Sequence, residues 1–251
     1  PIIISFVIAQ GGWRIGWYFL AALTWLFYIP SVYVLLAGFQ PETTIEPPTA
    51  SSLVSPWQIL RQPRFYGLIL PLIFPAAFVT GLFFHQLVLI GDKGWNPAQL
   101  AVAFVVFAVG RAVLALSTGV LIDRFSALRI FPLLFVPFGL AMLAFWLGNA
   151  SYWIFVYLGL VGVTFGMSNV IIGALWAEIY GTEILGTVRG LTSSFMIVAT
   201  ALSPLLLGLM LDAGWSVSYI LGLGTILSLF SGLLAALMSQ LLNRAITNPS
   251  F

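Results

Sequence analysis

Cysteine is absent and charge is scarce: of 251 residues, nine are Lys or Arg, seven are Asp or Glu and one is His. Without cysteine there are no disulfides, no thiolate metal sites and no cysteine nucleophile. Charged residues make up 6% of the chain and hydrophobic residues 61%, where a soluble domain carries roughly 25% charge. A water-soluble globule of this size needs a polar shell that this composition does not supply. Soluble enzymes, disordered tails and nucleic-acid binders are therefore excluded. The net charge of +2 comes from scattered residues that form no basic patch, so no nucleic-acid partner is expected. The only lysine, Lys93, falls in a predicted loop. That excludes a retinal protein, whose Schiff base needs a lysine inside the last helix. With one histidine and no carboxylate deep in an apolar run, there is no acid pair, Ser–His pair or ligand set for catalysis. No enzyme, cofactor or metal is expected.

What the sequence does have is long apolar runs. Seven are read at Gly16–Gly38, Phe65–Ile90, Ala98–Ile122, Ile130–Leu147, Tyr152–Ala177, Thr187–Leu211 and Ser216–Leu241. Each is near or above the ~20 residues that cross a bilayer as a helix, and lipid leaves no alternative partner for the backbone of a single span. The fold class is thus an all-α membrane protein, a polytopic helical bundle. A stub, Pro1–Ala9, is too short to cross and is expected to be the end of an upstream helix. One polar stretch, 39–64, holds Pro41, Glu42, Glu46, Pro47, Pro48, Arg61 and Arg64 and is read as a linker between 1–38 and 65–251. Within it, Pro56–Leu60 suits a short helix at the membrane surface.

Charge sets the orientation. Alternate loops carry Arg61 and Arg64, Arg124 and Arg129, Arg189, and Arg244, while the opposite side has only Arg14 and Lys93. The arginine-rich side is expected in the cytoplasm, together with 39–64 and the C-terminus. A Gly-Trp motif opens both the first full span (Gly12, Trp13) and the last (Gly214, Trp215). This suggests parallel repeats of the kind transporters use.

The strongest local motif is Gly119-Val-Leu-Ile-Asp123-Arg124-Phe-Ser-Ala-Leu-Arg129. It resembles the signature loop of the major facilitator superfamily as it occurs in the second half of those transporters. Gln40-Pro41-Glu42-Thr43 is similar to the Pro-Glu-Thr that follows their sixth helix. Glu178-Ile-Tyr-Gly, followed by Gly186-Thr-Val-Arg189-Gly190, resembles their acid-to-arginine loop between the tenth and eleventh helices. The resemblance covers essentially the whole chain as the sixth to twelfth helices of twelve, a fragment whose N-terminal half is missing. It implies a latch of Gly119, Asp123, Arg124, Arg129, Glu178 and Arg189, with Gly119 allowing close helix approach.

Arg111 sits near the middle of Ala98–Ile122. A cation there costs about 2.5–3.5 kcal/mol even on the lenient insertion scale, so such residues face a bundle interior or a water-filled cavity. It is read as an anion-binding residue, able to hold a carboxylate through two parallel hydrogen bonds. It is similar to the eighth-helix arginine of the monocarboxylate and oxalate–formate branches, displaced one helical turn inward. The second cation of the oxalate exchangers has no counterpart within Thr187–Leu211. His85, Gln86 and Asn169 complete the substrate-binding set, and His85 is also a candidate for a coupling proton. The function expected is secondary transport of a small organic anion, with the bilayer and the missing half as further partners, in a bacterial inner membrane. A transporter of neutral or drug-like solutes is the alternative, with a seven-helix receptor or scaffold behind it.

Overall fold

The computed structural model describes residues 2–37 and 55–247. The motif Gln40–Thr43 and the acids Glu42 and Glu46 lie outside the described residues. Every regular element among the described residues is helical. The chain divides into two units, 1–51 and 52–251, and each is described by itself.

In the first unit, α1 (Ile2–Leu23) is interrupted at Gly12, whose φ of 75° and ψ of 176° leave the helical region. Only glycine adopts that φ without a Cβ penalty. The break separates the stub from the first full span. A wider turn at Thr24–Tyr28 leads into α2 (Ile29–Leu36). It lies just before Pro30, whose missing N–H interrupts the ladder, and Ser31 Oγ donates to the Phe27 carbonyl at 2.6 Å. Phe6–Leu36 is long and apolar enough to span a membrane.

The second unit holds six further stretches of that kind. The short α3 (Pro56–Leu60) forms where the sequence suits one, with a proline in its first turn. The first span of this unit is divided at His85 into α4 (Pro63–Phe84) and α5 (Gln86–Asp92); the sequence reads it as one run. Next come α6 (Pro97–Phe125), α7 (Ala127–Ile130), a tight turn at Phe131–Leu134 and α8 (Phe135–Leu147). The last three are α9 (Trp153–Tyr180), α10 (Leu185–Asp212) and α11 (Val217–Thr247). Asn96 caps α6, its Oδ1 accepting from Ala98 N–H at 2.9 Å.

Glycine brings these helices together, as small residues do in membranes. A methyl on Gly162 would collide with the Phe107 carbonyl, and one on Gly166 with the Arg111 carbonyl, so α6 and α9 touch backbone to backbone. The second seam joins α4 to α10. There Ser203 Oγ donates to the Ala77 carbonyl, beside Gly81. Helix α11 packs on α4 and α8, with Gly224 against Phe78 and Gly232 against Phe135.

Two apolar cores result. One, around Leu82, Phe138, Phe145 and Tyr157, lies toward the end that carries Lys93. The other, around Phe65, Phe131, Leu175 and Trp176, lies toward the end where α6 meets α7 and α9 terminates, the arginine end. At the lysine end Lys93 Nζ donates to the carbonyls of Trp146 (2.5 Å) and Gly148 (3.4 Å), placing a cation at the C-terminus of α8. Burial pushes this ammonium below its ordinary value, with Asp92 pulling the other way.

Burial is uneven. The most apolar stretches of α6 and α10 are only 6% and 11% buried, against 44–56% for the other four spans of this unit. These two helices thus keep one face free of contacts among the described residues.

Candidate functional site

At the arginine end, α6 stops at Phe125 and the chain turns through Ser126. This is the only non-glycine residue with positive φ among those described, at 71°. The turn aims the first N–H groups of α7 outward, and Glu178 from the end of α9 accepts two of them: Ala127 N–H at 2.6 Å and Leu128 N–H at 2.9 Å. Charge-assisted bonds of this length are the strong kind. From α11, Ser239 Oγ donates to the Leu128 carbonyl at 2.7 Å. Two helices, α9 and α11, thus fasten one short turn.

Around that turn lies a cavity of about 570 Å³ whose lining includes Asp123, Arg124, Arg129 and Glu178. The structure therefore brings together four of the six residues that the sequence assigns to a latch. Among the described residues, neither Arg124 nor Arg129 has a carboxylate within 4.0 Å. Arg124 lies over the Phe125 ring at 5.2 Å instead. Glu178, one of the two acids of the cluster, grips backbone, not guanidinium.

The other two latch residues lie apart from that cavity. Among the described residues Gly119 makes no close helix approach, since a methyl there would meet nothing within 4 Å. The close approaches on α6 are made at Gly110 and at the Phe107 and Arg111 backbones, nearer the middle of the span. Arg189 does not line the Glu178 cavity. It lines a separate one of about 240 Å³, together with Asn169, Gly173, Trp176, Thr192 and Ser193. Spacing along a loop shows that Glu178 and Arg189 are near in sequence; it does not show which way each side chain turns.

The residues read as substrate-binding fall in three places. Arg111 is at the midpoint of α6, exposed, on the least buried span of the second unit. Its carbonyl is pressed against Gly166, so its height in the span is fixed by backbone contact. His85 is at the α4–α5 junction, with Nε2 2.9 Å from the Pro204 carbonyl of α10. A carbonyl only accepts, so Nε2 carries the proton. The imidazole ring lies against Gly208. Gln86 is 4% exposed and its Nε2 has no partner among the described residues, which takes it into the helix packing and out of an open site. Asn169 is exposed and shares the Arg189 cavity and a smaller one of about 70 Å³ beside it. Neither of these two cavities is lined by Arg111, His85 or Gln86.

Sequence reasoning missed the inter-helix fasteners Ser239 and Lys93, and the cavity that Arg189 shares with Asn169. A serine facing a helix interior and a lone loop lysine carry no local pattern.

A comparison with curated proteins gave no match. Residues 79–249, well over half of the chain, match the family described as Major Facilitator Superfamily. With seven helices able to span a membrane and a signature turn of the expected residues at the arginine end, this chain belongs to the major facilitator superfamily, whose members carry small solutes across membranes by secondary transport.

Proposed function

We propose that the solute is a small organic anion, such as a monocarboxylate, moved by alternating access, and that 65–251 is the C-terminal six-helix bundle of a two-bundle transporter. The observation that carries this reading is Arg111. It is a permanent cation at the midpoint of a span, exposed, and among the described residues it has no carboxylate within 4.0 Å. Such a placement in hydrocarbon is costly, so the exposed side of α6 is read as lining water and substrate rather than lipid. The guanidinium fork matches a carboxylate better than an ammonium does. The barely covered faces of α6 and α10 are where a partner bundle would close the cavity. By the arginine asymmetry, the turn at Ser126 and the C-terminus face the cytoplasm of a bacterial cell. In His85 one ring nitrogen is committed to Pro204, leaving Nδ1 to take up a coupling proton. Residues 1–38 are read as the remnant of the other bundle and 39–64 as the link between the two.

The test is uptake into proteoliposomes with pyruvate and glucose as paired solutes. Arg111→Gln is expected to lower pyruvate uptake by more than about tenfold, as loss of a charge-assisted pair does, with Arg111→Lys intermediate. Uptake of glucose in preference to pyruvate by the unaltered protein would replace the anion with a neutral solute.

A further inference from the structure

We infer that the cavity between α9 and α10 is a second oxyanion site, at the arginine end, with Arg189 as its anchoring residue and Asn169 and Ser193 as neutral donors. Its place on a transport path rests on the reading above; the binding itself does not.

Arg189 leaves the latch and finds no acid to replace it. Glu178, the acid that the loop pattern pairs with it, is bound to the N–H groups of Ala127 and Leu128. Among the described residues no carboxylate lies within 4.0 Å of the Arg189 guanidinium. The guanidinium instead rests on bare backbone: a methyl on Gly173 would sit 2.7 Å from Nη2. An exposed arginine that lines a cavity, rests against a glycine on the neighbouring helix and has no acid within 4.0 Å among the described residues presents five donors and no acceptor.

The rest of the lining has the same sense. Asn169 brings an amide N–H₂ from α9. The hydroxyl of Thr192 is spent on the Val188 carbonyl at 2.8 Å and that of Ser194 on the Gly190 carbonyl at 2.9 Å. Ser193, between them, makes no such bond and faces the cavity. Trp176, which also lines the cavity and is fully buried, has an indole N–H with no acceptor among the described residues. No acid lines the cavity. Arg189 and the Trp176 indole only donate, so the complement is a ligand rich in acceptors: a carboxylate or phosphate group. The volume of about 240 Å³ lies below the roughly 300–1,000 Å³ of drug-sized sites, so the ligand is small. Arg189 is in the second turn of α10, whereas Arg111 is at the middle of α6. The two arginines mark two stations, one at the midplane and one at a mouth.

The experiment is a titration of the chain, ¹⁵N-labelled at tryptophan, with pyruvate, inorganic phosphate and glucose, reading the Trp176 indole resonance assigned by Trp176→Phe. Both oxyanions are expected to shift it saturably and glucose to leave it unmoved. Arg189→Gln is expected to weaken Kd by about tenfold or more. Gly173→Ala keeps the charge and asks only the flexible end of Arg189 to move, so it carries the test even if Arg189→Gln fails to fold. It too should weaken Kd, while Arg111→Gln leaves Kd at this resonance within about twofold, as expected for separate sites. No shift with either oxyanion, or a Kd unchanged in both Gly173→Ala and Arg189→Gln, overturns the site and leaves transport through Arg111 standing. Saturable binding here in a protein that transports no anion supports the site and removes the proposed function.

Discussion

Single residues decide most of the chemistry, and their types were legible before their directions were. The midpoint arginine, the acid at the end of α9 and the arginines of the short turn all stand where the sequence places them along the helices. What composition and spacing do not encode is rotation about the helix axis and the choice of partner. Glu178 is drawn to two N–H groups because the Ser126 turn leaves them open. Arg189 turns to Gly173. Lys93 is the clearest case for a pH effect. Burial lowers its folded-state value below the ordinary 10.5, so in this range the unfolded chain binds the proton more tightly and stability rises with pH. The penalty is fully present below the folded value and disappears as pH climbs toward 10.5. Melting curves across about pH 8 to 10 should show the unaltered protein gaining on Lys93→Met as pH rises, as linkage requires. Parallel pH profiles would show that Lys93 is not desolvated enough to matter.

Elements were foreseen better in number than in continuity. All seven apolar runs fall on helices, because length and hydropathy suffice for that. The sequence does not announce the break at His85 or the tight turn ahead of α8, since neither interrupts the run of apolar side chains. Both depend on what packs alongside: Pro204 accepts from His85, and Pro132 starts the turn. Glycines mark helix seams at some positions and not at others. The glycines of α9 at 159, 162 and 166 meet α6, while Gly119, the glycine of the signature motif, meets nothing among the described residues. This contrast is measurable. Gly166→Ala drives a methyl into the Arg111 carbonyl and to 3.1 Å from the Ala115 nitrogen. It should cost about 1–3 kcal/mol, the usual range for overpacking, and should also disturb uptake by shifting Arg111. Gly119→Ala should change neither. Unfolding in mixed micelles reads both variants, and equal stability would refute the close α6–α9 seam.

For the whole molecule, family and membrane class follow from the sequence, and substrate does not. Two helices with nearly bare faces, α6 and α10, carry Arg111 and Arg189, neither of which has a described acid within 4.0 Å. The proposed anion chemistry thus falls on the surfaces left open, where a partner bundle is proposed to close. The central claim is that the Arg111 face of α6 meets water. Because the chain has no cysteine, one introduced thiol gives an unambiguous reading. Ala108 is exposed and one turn before Arg111 on the same side of the helix. The deciding measurement is labelling of Ala108→Cys in intact membranes by a membrane-impermeant maleimide, with and without pyruvate. Labelling that pyruvate slows is the predicted result. A thiol that the impermeant reagent never reaches, while a permeant one does, would place that face in lipid and contradict the account.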